Sequence, residues 1–183
     1  MEYVSHGNLD DWIQKQRSNK TPISESTAIF IMQQLFQGIN YLHKHDIAHR
    51  DMKPQNILIE DFDEHGRPYV KLTDFGYATK LSVDSGYKDG SIILGTLHYM
   101  APELLEYKPH NETVDVWALG CIAFELLTSG SYPFGRYVRA DIERKIVNEP
   151  PCYKLINCDK VSSLAYEFID RCLVKDPSKR PSA

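Results

Sequence analysis

Two oxygen-bearing side chains, Asn56 and Asp74, flank a stretch that reads as a hairpin. Ile57, Leu58 and Ile59 precede a polar, turn-rich run over residues 60–68, and Tyr69, Val70, Lys71 and Leu72 follow it, the pattern of two paired strands. Antiparallel pairing of the two runs is expected to set Asn56 and Asp74 opposite one another, within roughly 5 to 6 Å. An amide oxygen and a carboxylate at one point suit Mg²⁺, which takes one or two protein carboxylates, keeps several waters and completes its shell with phosphate oxygens. Just upstream, residues 49–56 read His-Arg-Asp-Met-Lys-Pro-Gln-Asn, so a carboxylate, Asp51, and an ammonium, Lys53, stand close in sequence to the same point.

Two other clusters carry less. His43, His45 and His49 lie near each other, but no cysteine is close in sequence to complete a zinc site. Asp61, Asp63 and Gly66 begin like a calcium loop, yet its fifth position is His65 and its twelfth is Leu72, where a bidentate Glu is required. A solvated hairpin turn is the expectation there.

Helices must hold this hairpin. Over residues 24–44 the apolar Ala28, Met32, Leu35, Ile39 and Leu42 recur at steps of three or four, one face of a long helix that also contains Gly38. A shorter helix is expected over residues 8–17 with Asn8 as N-cap. Residues 114–127 are apolar on nearly every side except Asp115 and Glu125, the mark of a helix buried all round. A buried Asp115 needs hydrogen-bond partners, because a bare charge there would cost several kcal/mol. Further helices are expected over residues 140–147 and 163–174. The fold class is therefore mainly α with small β-hairpins.

A chain of 183 residues with a formal charge of −4 suits one domain, and offers no basic field for nucleic acid or an anionic membrane. No apolar run approaches the roughly 20 residues that span a bilayer, and the first residues do not read as a signal peptide. A cytoplasmic protein, with the nucleus as a second location, is expected. Cys121, Cys152, Cys158 and Cys172 show no paired spacing and are expected as buried, reduced thiols. The Asn-Glu-Thr sequon at Asn111 reads as a chance match.

The run at residues 49–56, the Asp-Phe-Gly beginning at Asp74 and the Ala-Pro-Glu beginning at Ala101 come in the order found in protein kinases, and the chain resembles that family over nearly its whole length. The resemblance implies a kinase C-lobe and phosphoryl transfer from Mg·ATP to a protein hydroxyl. It makes Asp51 the carboxylate that orients the hydroxyl and accepts its proton, Lys53 the neutraliser of the γ-phosphate, and Asn56 and Asp74 the Mg²⁺ ligands. Lys53 and Pro54, with Gly95 and Thr96, resemble serine/threonine kinases. Thr96 is expected to reach Asp51. Asp115 resembles the acceptor of catalytic-loop backbone bonds, and Glu103 and Arg180 resemble a buried ion pair. Glu125 resembles an acidic residue that reads a basic substrate residue, while Gln55 stands where other members carry a glutamate. Met1, Glu2, Tyr3 and Val4 resemble the gatekeeper and hinge, with Leu58 beneath the adenine. Arg50 implies control by phosphorylation of the activation segment, with Ser91 as the candidate acceptor, although Ile92 is nearest the usual site and Ser82 and Ser85 lie in the same segment.

No glycine-rich G-x-G-x-x-G and no V-A-I-K-type lysine precedes the loop, and no final helix follows Ala183. The expectation is a partial kinase domain over residues 1–183, a piece of a longer chain and inactive by itself. The alternative is a non-catalytic interaction module, against which the retention of Asp51, Lys53, Asn56 and Asp74 argues.

Overall fold

The computed structural model describes residues 6–80, 96–136, 138–156 and 161–183, and in them helices predominate over two small antiparallel sheets. The helices are α1 (Leu9–Ser18), α2 (Glu25–Lys44), α3 (Pro102–Leu105), α4 (Thr113–Leu127), α5 (Arg139–Asn148) and α6 (Ser163–Cys172). The strands are β1 (Ile47–Ala48), β2 (Ile57–Phe62), β3 (Pro68–Leu72) and β4 (Thr79–Lys80). The mainly helical class with small hairpins is the one expected.

Local chemistry starts the helices. The side chains of Asn8, Ser24 and Ser162 accept from the amides of Asp11 (2.9 Å), Thr27 (3.2 Å) and Ala165 (3.3 Å), each satisfying a first-turn N–H that has no partner inside its helix. Asp10 and Asp11 open α1 and Lys15 and Arg17 close it, charges of the sign that suits each end of the helix dipole.

α4 is the centre of the core, with every residue from Thr113 to Leu126 buried. α2 lays Ala28, Ile31, Met32, Leu35 and Ile39 into the core and packs on α4, as does α6. The approach of α6 requires Gly120, where a Cβ would stand 2.6 Å from the Cβ of Cys172.

The β2–β3 hairpin rides on α2. Gln34 Nε2 donates to Pro68 O (3.2 Å) and Gln34 Oε1 accepts from Val70 N (3.0 Å), so one side chain serves as a neighbour strand for β3. In the hairpin turn, Asp63 Oδ1 accepts from the amides of His65 (2.9 Å) and Arg67 (2.8 Å), and Arg67 lies over the Phe30 ring. The β1–β4 pair, Ile47 with Lys80 and Ala48 with Thr79, was not foreseen, since two-residue strands carry no periodicity. Cys121 and Cys172 are buried free thiols. Cys152 is exposed, a correction: its amide is tied to Pro133 O (2.7 Å) after two prolines, which leaves the residue at the surface. Cys158 lies outside the described residues. Among the described residues no helix is long and apolar enough to cross a membrane.

Candidate active site

The site begins beneath the 49–56 loop, at Asp115 in the first turn of α4. Its Oδ2 accepts from His49 N (2.8 Å) and from His43 Nε2 (2.9 Å), and its Oδ1 accepts from Arg50 N (2.8 Å). Arg50 is left-handed with φ 64°, a conformation costing an L-residue roughly 1–2 kcal/mol, and these bonds offset that cost. His49 is fully buried, and its tautomer follows from its partners. Nε2–H donates to Thr73 O (3.1 Å) and Nδ1 accepts from Asp51 N (3.4 Å), joining the loop to the strand that leads to Asp74. The three histidines therefore go to separate partners, with His45 Nδ1 at Tyr41 O.

Asp51 is 3 % exposed. Lys53 Nζ donates to its Oδ2 at 2.7 Å and Asn56 Nδ2 donates to the same oxygen at 2.8 Å and to Asp51 O at 2.9 Å. Both side-chain bonds fall on Oδ2, which leaves Oδ1 without a hydrogen bond among the described residues. Asn56 has its amide nitrogen engaged by Asp51, so its oxygen is the atom left for a ligand.

The hairpin register corrects one expectation. β2 and β3 pair Ile57 with Leu72 and Ile59 with Val70, and Thr73 N donates to Asn56 O (3.0 Å). Thr73, not Asp74, is therefore opposite Asn56. The physical reason is the pleat: this register keeps Ile57, Ile59, Val70 and Leu72 on one face, and a slip of one residue would turn one set outward. Asp74 follows immediately, in the left-handed region at φ 59°, and its Oδ1 accepts from Gly76 N (3.2 Å). A Cβ on Gly76 would lie 3.1 Å from that oxygen, so glycine leaves the carboxylate room. Arg50 Nε donates to Tyr77 O (2.8 Å), tying the segment after Asp74 back to the loop.

Thr96 lines one small cavity with Arg50, Asp51 and Asp115, but no hydrogen bond joins it to Asp51, whose carboxylate is held by Lys53 and Asn56 instead. Glu103 and Arg180 form a buried, two-pronged pair, Nη1 to Oε1 at 2.7 Å and Nη2 to Oε2 at 3.0 Å, and Arg180 Nη1 also donates to Thr113 O (2.9 Å). Glu125 requires a correction. Expected to meet a basic substrate residue, it is 0 % exposed, because α4 is enclosed on all sides, and its Oε2 accepts from Tyr99 Oη at 2.6 Å. Burial pushes its carboxyl up to about 7, partly countered by the tyrosine bond. Leu58 is half-buried in β2, on the face opposite Ile57 and Ile59, and bridges to Asn8. Met1, Glu2, Val4 and Ser91 lie outside the described residues.

Sequence reasoning missed His43 as a partner of Asp115 and Tyr99 as a partner of Glu125. Neither pair has a local signal, since 72 and 26 residues separate the partners. The family model for the protein kinase domain matches residues 1–183, the whole chain.

Proposed function

Because the chain belongs to the protein kinase domain family, we propose that it serves transfer of the γ-phosphoryl group of Mg·ATP to serine or threonine hydroxyls of proteins. The observation that carries the reading is the Asp51 carboxylate, buried, held through Oδ2 by Lys53 and Asn56, and with no hydrogen bond on Oδ1 among the described residues. A carboxylate so held orients an incoming hydroxyl at Oδ1 and takes its proton there. Lys53, held at Asp51 Oδ2, is proposed to neutralise charge developing on the transferred group. The donor set fits Mg²⁺: the Asn56 amide oxygen and the Asp74 carboxylate are hard oxygen ligands, few in number, as a site shared with phosphates requires. Mg²⁺ bound there supplies neutralisation of the phosphate oxygens. Met1, Glu2 and Val4 are proposed to meet adenine, with Leu58 as an apolar floor. A phosphate on Ser91 is proposed to pair with Arg50.

The serine/threonine assignment rests on Lys53, Pro54, Gly95 and Thr96. Residues 1–183 are the hinge and C-lobe of the domain in this reading, and by themselves transfer phosphate poorly. They contain no glycine-rich loop and no strand lysine to cover the α- and β-phosphates, and charge stabilisation is weak in a site open to water.

The test is phosphoryl transfer by the endogenous protein, immunopurified from its source cells, against serine, threonine and tyrosine peptides, beside an Asp51→Asn form. Mg²⁺-dependent labelling of serine or threonine, reduced on the order of 10²–10⁴-fold in the variant, is expected. Tyrosine labelling alone, or an unchanged variant, overturns the assignment. Turnover of roughly 1–100 s⁻¹ by the purified 183-residue chain overturns the second part.

A further inference from the structure

We propose that Glu125 is a positioning residue which holds the loop carrying Thr96 as a neutral acid and displaces that loop when it ionises. Three observations lead there. Glu125 is fully buried, Oε2 takes the Tyr99 hydroxyl at 2.6 Å, and Oε1 has no hydrogen-bond partner among the described residues. Tyr99 belongs to the short turn Leu97–Tyr99 that starts at Thr96, and its amide donates to Thr96 O (3.0 Å). The carboxyl is thus fastened directly to the loop.

The charged and titratable groups around Glu125 explain why ionisation moves something. Asp10 and Arg17 face it from α1, Tyr99 from the turn, and Tyr132 and Arg136 from the segment after α4. Cys121 is its titratable neighbour on α4. Neither arginine answers Oε1. Arg17 Nη1 (3.3 Å) and Arg136 Nη2 (2.9 Å) both donate to Gly130 O, and Arg136 lies over the Tyr132 ring at 4.7 Å. Loss of the proton to water leaves a buried anion with one donor, a state that costs free energy until a second donor arrives. Recruiting Arg136 breaks its bond to Gly130 and its stack on Tyr132. Tyr132 packs edge-on against Tyr99 (5.9 Å) and stacks on His98 (4.0 Å), so its movement reaches the loop from both sides. Burial raises the Glu125 carboxyl to about 7, which places this change close to neutrality.

The effect on substrate rests on the proposed kinase function, with the loop that starts at Thr96 taken as the one that meets the substrate peptide, whereas the link between proton and loop does not. NMR of the 183-residue chain, with ¹³C in the glutamate carboxyls and ¹⁵N in the backbone, tests the link from about pH 5.5 to 8.5. The expected result is a Glu125 carboxyl resonance that titrates near pH 7, with the amides of Thr96, Tyr99 and Met100 following the same midpoint. The amide titration is expected to vanish in Glu125→Gln and to persist in His98→Gln, which separates it from the neighbouring imidazole. A Glu125 resonance that is flat across the range overturns the proposal, as does an amide titration surviving in Glu125→Gln. Should that variant fail to fold, the double variant Tyr99→Phe, Arg136→Met serves, since it removes both the hydroxyl tether and the arginine whose recruitment moves Tyr132: loop amides that still follow the carboxyl midpoint overturn the proposal equally. Binding of a serine-centred peptide library, read at the same pH values, separates the two readings. Loop titration with pH-independent binding supports the proton link and removes the loop from substrate recognition.

Discussion

Arg180 and Glu103 show how much one side chain can hold. Both are buried, and the guanidinium meets the carboxylate by two bonds while also serving Thr113 O and Val174 O. Removing one partner leaves the other charge unanswered, so Arg180→Met is expected to cost roughly 3 to 5 kcal/mol in urea unfolding. A loss under about 1 kcal/mol would show that water reaches Glu103. Lys175 carries the opposite lesson. Its ammonium lies 4.2 Å from the Phe134 ring centre and 4.8 Å from that of Trp117 and donates to Ile146 O, but no carboxylate pairs with it among the described residues. Burial lowers its pKa to about 8. Between about pH 8 and the unfolded value near 10.5, the unfolded chain binds more protons at this site, so its contribution to stability rises with pH. Lys175→Met is accordingly expected to gain more, relative to wild type, at pH 7 than at pH 10, by paired urea titrations. An equal gain at both values would show that the rings and the carbonyl fully compensate the ammonium.

Two helical glycines separate propensity from packing. Alanine is worth about 1 kcal/mol over glycine inside a helix when nothing opposes it. At Gly120 the new methyl would sit 2.6 Å from Cys172 Cβ and 2.9 Å from Leu173 Cδ2, so α4 and α6 must separate. Gly120→Ala is expected to destabilise by about 1–3 kcal/mol. At Gly38 the methyl meets the Leu72 side chain, Cδ1 at 3.1 Å and Cγ at 3.6 Å, the far end of a flexible side chain. Gly38→Ala is therefore expected near neutral, and the contrast is read by thermal unfolding of both variants. Most of the helices were legible in sequence because their caps and apolar spacing are local: Asn8, Ser24 and the step pattern from Ala28 to Ile39 suffice for α1 and α2. The hairpin was legible too, but not its register: alternation fixes which side chains share a face, while the pairing of Ile57 with Leu72, and so of Asn56 with Thr73, came only from the structure. The misplacement of Asp74 came from matching outer ends rather than faces.

In the molecule as a whole, one buried helix carries a buried, hydrogen-bonded carboxyl near each of its two ends. Asp115 near the start of α4 holds the loop of Asp51, and Glu125 near its end holds the loop of Thr96. With no glycine-rich cover in residues 1–183, Mg·ATP is expected to raise the stability of the purified chain by less than about 1 kcal/mol at about 1 mM ligand. A larger increase in thermal unfolding temperature would mean that residues 1–183 bind nucleotide tightly without such a cover.

The sequence by itself determined the helices, the hairpin, the order of the three motifs and the membership that follows from them, because caps, periodicity and loop motifs are written within a few residues. Only the tertiary structure decided which buried polar groups meet. His43 finds Asp115, Tyr99 donates to the buried Glu125, and Asp51 is held by Lys53 and Asn56, with no hydrogen bond to Thr96 beside it. The reason is that a buried carboxyl takes whichever donor the packing delivers, and the packing around α4 draws its donors from segments far apart in the chain.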